Sequence, residues 1–121
     1  MVFPGDGEEG RYPLVPVRGN RERDGLDVRS LSAAIDAAAV ATWPHVLNVT
    51  GASTDLAAVG ATVASADAVL VVDGGQDLLR GPRPLPQGVS AYAVSVHKAY
   101  GPTGVGALWA DPARLAAWLA W

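Results

Sequence analysis

Apolar residues recur with the period of an α-helix in three parts of the chain. The first helix is predicted within residues 27–40, where Asp27 can cap the first turn. A second is predicted after Thr54 or Asp55, either of which can cap it, and a third opens at Asp111 and runs to the C-terminus. The apolar faces of the first two would consist of Val28, Leu31, Ile35 and Ala38, and of Leu56, Val59 and Val63.

Short runs of apolar and β-branched residues predict the strands between these helices. In chain order they are YPLVPV (12–17), PHVLNV (44–49), AVLVV (68–72), SAYAVS (90–95) and VGALWA (105–110). Pro13 and Pro16 suit the edge of a sheet, whereas AVLVV is typical of a strand covered on both faces in a parallel sheet. The alternation of strands and helices, without internal repeats, predicts an α/β fold.

Several polar residues fall where these predicted strands end. Asn48, Asp73, Ser95 and His97 lie at or just past such ends, and open α/β sheets bind ligands outside the carboxyl ends of their strands. Each residue also has a simple structural explanation, since an Asp after a strand often caps a turn and a single His is usually structural. Their combination indicates a ligand site.

Composition narrows the kind of ligand and the class of protein. The 121 residues, half of them apolar and 17% charged, predict one globular domain, and a net charge of −3 provides no basic field for nucleic acid. The absence of cysteine excludes a disulfide, a thiolate metal cluster and a thiol nucleophile in this chain, and no metal site is predicted. The acidic, glycine-rich start is unlike a signal peptide, and no apolar run reaches membrane-spanning length. We therefore expect a cytoplasmic location without membrane or nucleic-acid partners.

Lys98 is the only lysine of the chain, in the stretch SVHKAYGPTG. An Ala-, Arg- and Gly-rich composition could account for the scarcity of lysine, but the neighbours of Lys98 also suit chemistry on an aldehyde. A nucleophilic lysine needs desolvation, which adjacent apolar strand residues could supply. A pyridoxal-type aldehyde further needs an anionic partner for its ring nitrogen, for which Asp73 is suitably placed. Its phosphate needs donors such as Ser95, His97 and nearby backbone N–H groups.

Residues 71–109, VVDGGQDLLRGPRPLPQGVSAYAVSVHKAYGPTGVGALW, resemble the central segment of the class V aminotransferases, which are fold-type I pyridoxal-phosphate enzymes. The similarity is greatest to their cysteine desulfurase and selenocysteine lyase branch. DGLDVRSLSAAID and NVTGASTDLAAVGATVASADAVLVVD fit the same family in the same order, so the resemblance runs from about Tyr12 to about Leu115. It implies a loose segment over 1–11 and, over 12–121, a partial large domain with a mostly parallel sheet flanked by helices.

The resemblance also implies roles for individual residues. Lys98 would form the internal aldimine with pyridoxal 5'-phosphate and later move protons at the α-carbon of the substrate, while Asp73 would pair with the pyridinium nitrogen. The other implied contacts are Gln76 at the phenolic oxygen, Ser95 and His97 at the phosphate, and Asn48 at the ring oxygen and the substrate carboxylate. Structural alternatives remain, with Gln76 as a surface amide and Asn48 as a turn residue. GPTGVG is not a nucleotide-binding P-loop, because its last glycine is not followed by lysine.

Two departures from the family leave the function open. Val96 stands where many members have glycine, and members are several times longer, with a substrate-binding arginine and a sulfur-accepting cysteine in other segments. One hypothesis is a pyridoxal-phosphate-binding segment of cysteine desulfurase or C–S lyase type, which is incomplete alone. It would act on a cysteine-like amino acid, either as a homo-oligomer or with a complementing fragment. Transamination and epimerisation stay open as alternative reactions. The other is a non-catalytic remnant or interaction module, with Trp118 and Trp121 as contacts, or a truncated reading frame.

Overall fold

A computed structural model describes residues 2–3, 17, 19–20, 25–35, 40–81 and 84–118 of the chain. The strands are β1 (Val2–Phe3), β2 (Gly19–Asn20), β3 (Gly25–Leu26), β4 (Val40–Pro44), β5 (Val69–Asp73), β6 (Ala91–Ser95) and β7 (Gly106–Ala110). The helices are α1 (Val28–Ile35), α2 (Leu56–Ser65) and α3 (Pro112–Trp118), with single 3-10 turns at Leu78–Arg80 and Val96–Ala99.

The main sheet has five strands in the order β1-β4-β5-β6-β7. Strands β4, β5 and β6 are parallel neighbours, and the antiparallel strands β1 and β7 close the two sides. Helix α2 connects β4 to β5, as expected of parallel neighbours, which need a crossover. Strands β2 and β3 form a separate two-stranded ladder. The predicted α/β class with a mostly parallel, helix-flanked sheet is confirmed.

One face of the sheet packs against α1 and α2. Alternate residues of β4 and β5 are buried there, because side chains along a strand point to opposite faces in turn. The core consists of Leu31, Ile35, Ala41, Trp43, Leu56, Val59, Val63, Ala68, Leu70, Val72 and Val89. Burying each of the larger side chains contributes about 1.5–3 kcal/mol. The predicted stripes of α1 and α2 are confirmed as far as Ile35 and Val63, whereas Ala38 lies outside the described residues.

Aspartates begin the three helices, as predicted. Asp27 accepts a hydrogen bond from Arg29 N at 3.1 Å and Asp111 accepts one from Ala113 N at 2.8 Å. For α2, the structure selects Asp55, whose Oδ1 accepts from two backbone N–H groups at 3.1 Å. The alternative cap, Thr54, instead donates its hydroxyl to Pro44 O at 2.8 Å and so fastens the end of β4.

The predicted strand at 44–49 is wrong: β4 starts at Val40 and ends at Pro44. Proline has no N–H with which to continue the ladder, although His45 N still donates to Asp73 O at 2.8 Å. The chain then turns back, with a bridge between Val46 and Ser53. The strands predicted at 68–72, 90–95 and 105–110 are confirmed within one residue at each end.

Other sequence expectations fall outside what the structure describes. The strand predicted at 12–17 lies outside the described residues except for Val17, which belongs to no strand. Trp121 and the side chain of Trp118 also lie outside them. None of the helices in the described ranges combines the length and apolar character needed to cross a membrane. The division at residues 11 and 12 stays a prediction.

Candidate active site

The carboxyl ends of β5 and β6 lie side by side, because the two strands are parallel neighbours. Asp73 ends β5 with an exposed side chain, and Ser95, which is half-buried, ends β6. The 3-10 turn directly after β6 carries His97, which is exposed, and Lys98, which is half-buried. Four of the six candidate residues therefore lie at one edge of the sheet.

Gly75 brings the Asp73 carboxylate and the Lys98 amine to a common point. Its backbone N–H donates to Asp73 Oδ1 at 2.9 Å. A Cβ at residue 75 would lie 3.1 Å from Asp73 Oδ1 and 3.3 Å from Lys98 Nζ. The absence of a side chain at residue 75 thus lets the carboxylate and the amine come so close to this point that a Cβ there would be crowded.

Asn48 and Gln76 form a second pair close to this edge. Gln76 Nε2 donates a hydrogen bond to Asn48 Oδ1, although the two residues are 28 positions apart. Asn48 lies on an exposed turn that is closed by Leu47 N donating to Ala52 O at 2.9 Å. Arg80 holds the far side of the same turn, since its guanidinium donates to Ser53 Oγ at 2.5 Å. The turn from Asp73 to Arg80 and the turn after β4 are therefore fastened to each other.

Val96, the departure from the usual family pattern, is directed toward Gly101. Its Cγ1 lies 2.1 Å from the position that a Cβ of residue 101 would take. Gly101 N also donates to Val96 O at 3.1 Å, and Val96 N donates to Val105 O at 3.0 Å. Residue 96 thus anchors the loop that follows Lys98 instead of projecting between Ser95 and His97.

Sequence reasoning missed three polar side chains behind this edge, two buried and one, Tyr92, half-buried, here called the His45–Asp77–Tyr92 cluster. His45 Nδ1 lies 2.7 Å from Tyr92 OH and 3.1 Å from Asp77 Oδ2. The side chains of His45 and Asp77 are only 11% and 5% exposed. Tyr92 pairs in register with Val72, on the face of the sheet that the helices cover. The place of Tyr92 in the apolar run of its strand was the available sequence signal for the cluster, because a tyrosine hydroxyl on a covered face needs a polar partner.

The two faces of the sheet carry different cavities near the site. A cavity of about 610 Å³ on the helix side is bordered by the His45–Asp77–Tyr92 cluster and by apolar residues including Trp109. A cavity of about 410 Å³ borders Asp73, and its lining includes Thr42, Val71 and Ala93. The smaller cavity therefore lies beside the Asp73 carboxylate and is of a size that suits a small ligand.

The residues at this edge fit the chemistry of pyridoxal phosphate, the group that the sequence resemblance implies. The ring nitrogen of that cofactor takes a carboxylate partner and its aldehyde takes an amine. Asp73 and Lys98 provide these two groups, which approach each other beside Gly75. Hydroxyl and imidazole donors for a phosphate follow at Ser95 and His97.

Two curated proteins that are similar to this chain in sequence are cysteine desulfurases. A probable cysteine desulfurase of Chlamydia trachomatis is 44% identical over 66 residues, which cover 54% of this chain and 16% of that protein. The cysteine desulfurase CsdA of Escherichia coli is 41% identical over 75 residues, which cover 61% of this chain and 19% of that protein. The chain therefore spans less than a fifth of the length of these curated relatives.

The fold comparison agrees with the sequence comparison. The crystal structure of the Escherichia coli cysteine desulfurase CsdA superposes with a TM-score of 0.70 and 33% identity, covering 84% of this chain and 26% of that chain. The family described as aminotransferase class V matches residues 14–121. This match takes in nearly the whole sequence, including every candidate site residue, and the chain therefore belongs to the class V aminotransferases.

Proposed function

We propose that this chain forms the pyridoxal-phosphate-binding part of an enzyme of the cysteine desulfurase or C–S lyase type. The observation that carries the proposal is the convergence of Asp73 Oδ1 and Lys98 Nζ at Gly75, within 3.1 and 3.3 Å of one point. The similarity to two cysteine desulfurases supports the choice of a cysteine-like amino acid as substrate.

Lys98 and Asp73 carry the central roles in this proposal. When bound, pyridoxal phosphate supplies an electron sink for negative charge that develops at the α-carbon of an amino acid. Asp73 holds a proton on the ring nitrogen, which is the atom whose charge makes that sink effective. Lys98 would hold the aldehyde carbon through its amine, with loss of water, and would take and return the proton of the substrate α-carbon once the amino group of the substrate has displaced it.

The remaining candidates orient the ligands. Asn48 and Gln76 present amide groups, already bonded to each other, toward the phenolic oxygen and the substrate carboxylate. Ser95 and His97 offer donors to the phosphate. These 121 residues contain no cysteine, so the thiol that accepts the sulfur of the substrate lies outside them.

The first test is covalent labelling of the 121-residue chain. The purified protein is titrated with pyridoxal phosphate, reduced with borohydride and mapped by mass spectrometry. We expect saturable labelling at Lys98, because it is the only lysine, so that the N-terminal amine is the main competing site. Labelling at Lys98 that is no better than labelling at the N-terminus would contradict the proposal.

A matched pair of variants separates the role of Asp73 from a general effect of charge. Asp73→Asn removes the negative charge at the site, and Asp67→Asn removes one from a side chain that is 95% exposed. We expect Lys98 labelling to fall at least tenfold in Asp73→Asn, because about 1.4 kcal/mol of lost cofactor binding changes affinity by that factor. It should stay at the wild-type level in Asp67→Asn, and an equal effect of both would remove Asp73 from the site.

A second test addresses the reaction itself. The loaded chain is incubated with cysteine and dithiothreitol, so that cysteine and the dithiol yield alanine, sulfide and the oxidised disulfide. Sulfide release above that of free pyridoxal phosphate, and absent in Lys98→Arg, is expected. Labelling at Lys98 without sulfide release would retain the cofactor site and reject the C–S cleaving activity for this chain.

An interaction module is the second candidate, and β7 is the observation that favours it. This outermost strand exposes Leu108 by 67% and Trp109 by 45%, next to Val105, which is 47% exposed. Exposed apolar residues on an edge strand commonly meet another chain. Sedimentation that finds a stable monomer, together with labelling at Lys98, would favour the cofactor site over this alternative.

A further inference from the structure

The His45–Asp77–Tyr92 cluster lies directly behind the turn that carries the site. Tyr92 OH, His45 Nδ1 and Asp77 Oδ2 form a triangle with sides of 2.7, 3.1 and 3.5 Å. The rings of His45 and Tyr92 meet edge to face, with centroids 5.8 Å apart. Each corner comes from a different element, namely the end of β4, the turn after β5 and strand β6.

The turn from Gly74 to Asp77 is tied to the cluster at both ends. Tyr92 fills the space beside Gly74, since a Cβ there would lie 1.9 Å from Tyr92 Cε1. At the other end, Asp77 closes the turn through its backbone N–H, which donates to Gly74 O at 3.0 Å. The two residues between these ends are Gly75, which faces Asp73 and Lys98, and Gln76, which binds Asn48.

A buried polar cluster fixes geometry more sharply than an apolar contact of the same size. Hydrogen bonds depend on direction and distance, and burying these groups without their partners would cost free energy. A shift of the turn would therefore separate Asp77 from His45 and Tyr92 at once. Apolar packing at the same place would tolerate sliding.

We propose that three positioning residues, His45, Asp77 and Tyr92, hold the turn from Gly74 to Asp77 in its conformation. The turn thereby keeps Gly75 and Gln76 in place beside the proposed cofactor site. The importance of this turn for cofactor binding rests on the proposed function. The cluster itself lies on the helix side of the sheet, whereas the three atoms nearest to the position of a Cβ at Gly75 belong to Asp73 and Lys98. Its effect is on the conformation of the turn.

The test compares Tyr92→Phe with Tyr100→Phe in the full chain. Both variants remove one hydroxyl, but Tyr92 lies in the cluster whereas the Tyr100 side chain is 94% exposed. Hydrogen exchange of the Gly75 amide, measured by NMR without cofactor, reports opening of the turn. Exchange of the Val59 amide in α2 reports the stability of the core, and its N–H bonds Asp55 O at 3.1 Å.

We expect the ratio of Gly75 to Val59 exchange rates to rise about tenfold in Tyr92→Phe, the size of one lost buried hydrogen bond. The ratio should not change in Tyr100→Phe. A role limited to overall stability would accelerate both amides together and leave the ratio constant, and that result would overturn the inference. If Tyr92→Phe does not fold, Asp77→Asn, which keeps the shape of the side chain, is judged by the same ratio.

Titration with pyridoxal phosphate then separates the two proposals. Both proposals are supported if the wild-type chain labels at Lys98 and the Tyr92→Phe chain combines a raised exchange ratio with several-fold weaker labelling. A raised ratio in a chain that never labels at Lys98 would leave the positioning of the turn intact and reject the proposed cofactor site. Undiminished labelling in Tyr92→Phe despite a raised ratio would reject the link between the turn and the cofactor.

Discussion

Gly74 and Tyr92 occupy one continuous space at the end of β5. The nearest atom of the Tyr92 ring lies 1.9 Å from where a Cβ of residue 74 would be, and two more ring atoms or substituents lie within 2.4 Å. Gly74 does not have a positive φ, so its backbone conformation is open to other residues. The requirement for glycine therefore comes from the tyrosine ring alone.

Gly74→Ala is expected to destabilise the protein by about 1–3 kcal/mol, the usual cost of overpacking a filled site. Urea denaturation of the two proteins measures the change. Combining it with Tyr92→Leu should give less destabilisation than the sum of the single changes, because the smaller side chain vacates the space. Additive effects would mean that the two residues do not compete.

Gly75→Ala should act on the site and spare the fold. Its Cβ would press on two flexible side-chain ends, Asp73 Oδ1 and Lys98 Nζ, from 3.1 and 3.3 Å. We expect weaker labelling of Lys98 by pyridoxal phosphate, with a free energy of unfolding within about 0.5 kcal/mol of wild type. Unchanged labelling would show that the cofactor does not bind beside Gly75.

Asp55→Ala should cost about 1 kcal/mol of stability, because α2 would lose the carboxylate that caps Ala57 and Ala58. Asp55→Asn is the matched control, since asparagine is an equally good cap and keeps the side-chain oxygen. Thermal and urea midpoints of the three proteins check this. Equal loss in both variants would assign the effect to charge instead of capping.

The hydrogen bonds of Asp27 predict that the protein loses stability as the pH falls. The Ser30 hydroxyl, and then the Arg29 backbone N–H, bond its carboxylate at 2.9 and 3.1 Å and lower its pKa. A pKa that is lower in the folded state adds stability above the unfolded-state pKa of about 4, and that stability is lost as the pH falls through the folded-state value. Urea midpoints from neutral pH downward should therefore fall more steeply in wild type than in Asp27→Asn. Parallel curves for the two proteins would contradict the assignment.

Local sequence patterns predicted most of the helices and strands. They failed where a tertiary contact determines the position of an element. The stripe from Val28 to Ile35 and the aspartate caps depend on neighbours in sequence, which the sequence displays directly. The strand at Val40–Pro44 was wrongly predicted at 44–49, because the apolar run after Pro44 looked more strand-like than the alternating residues before it. Its pairing with β5, which no local pattern contains, determines where it ends.

The same distinction applies to the candidate site. Strand ends predicted that Asn48, Asp73, Ser95 and His97 would lie together. Asp73, Ser95 and His97 do lie at one edge, since parallel neighbours align their carboxyl ends, whereas Asn48 lies on the turn after β4. The hydrogen bond of Gln76 to Asn48 and the contacts of His45 with Tyr92 span 28 and 47 positions of sequence. Such contacts depend on the sheet register, which the sequence does not display, so the partners of Tyr92 were missed although its place in an apolar strand pointed to a polar contact.

Val96 and Gly101 constrain the order in which this segment can change over evolution. Because Val96 Cγ1 fills the space of a Cβ at residue 101, any larger residue at 101 is disfavoured while valine stays at 96. Glycine at position 96 would remove this side-chain contact and leave the contact with the backbone oxygen of residue 96, at 3.1 Å. The effects of changes at the two positions are therefore coupled: a larger residue at 101 is tolerated better after the valine at 96 has been replaced than before.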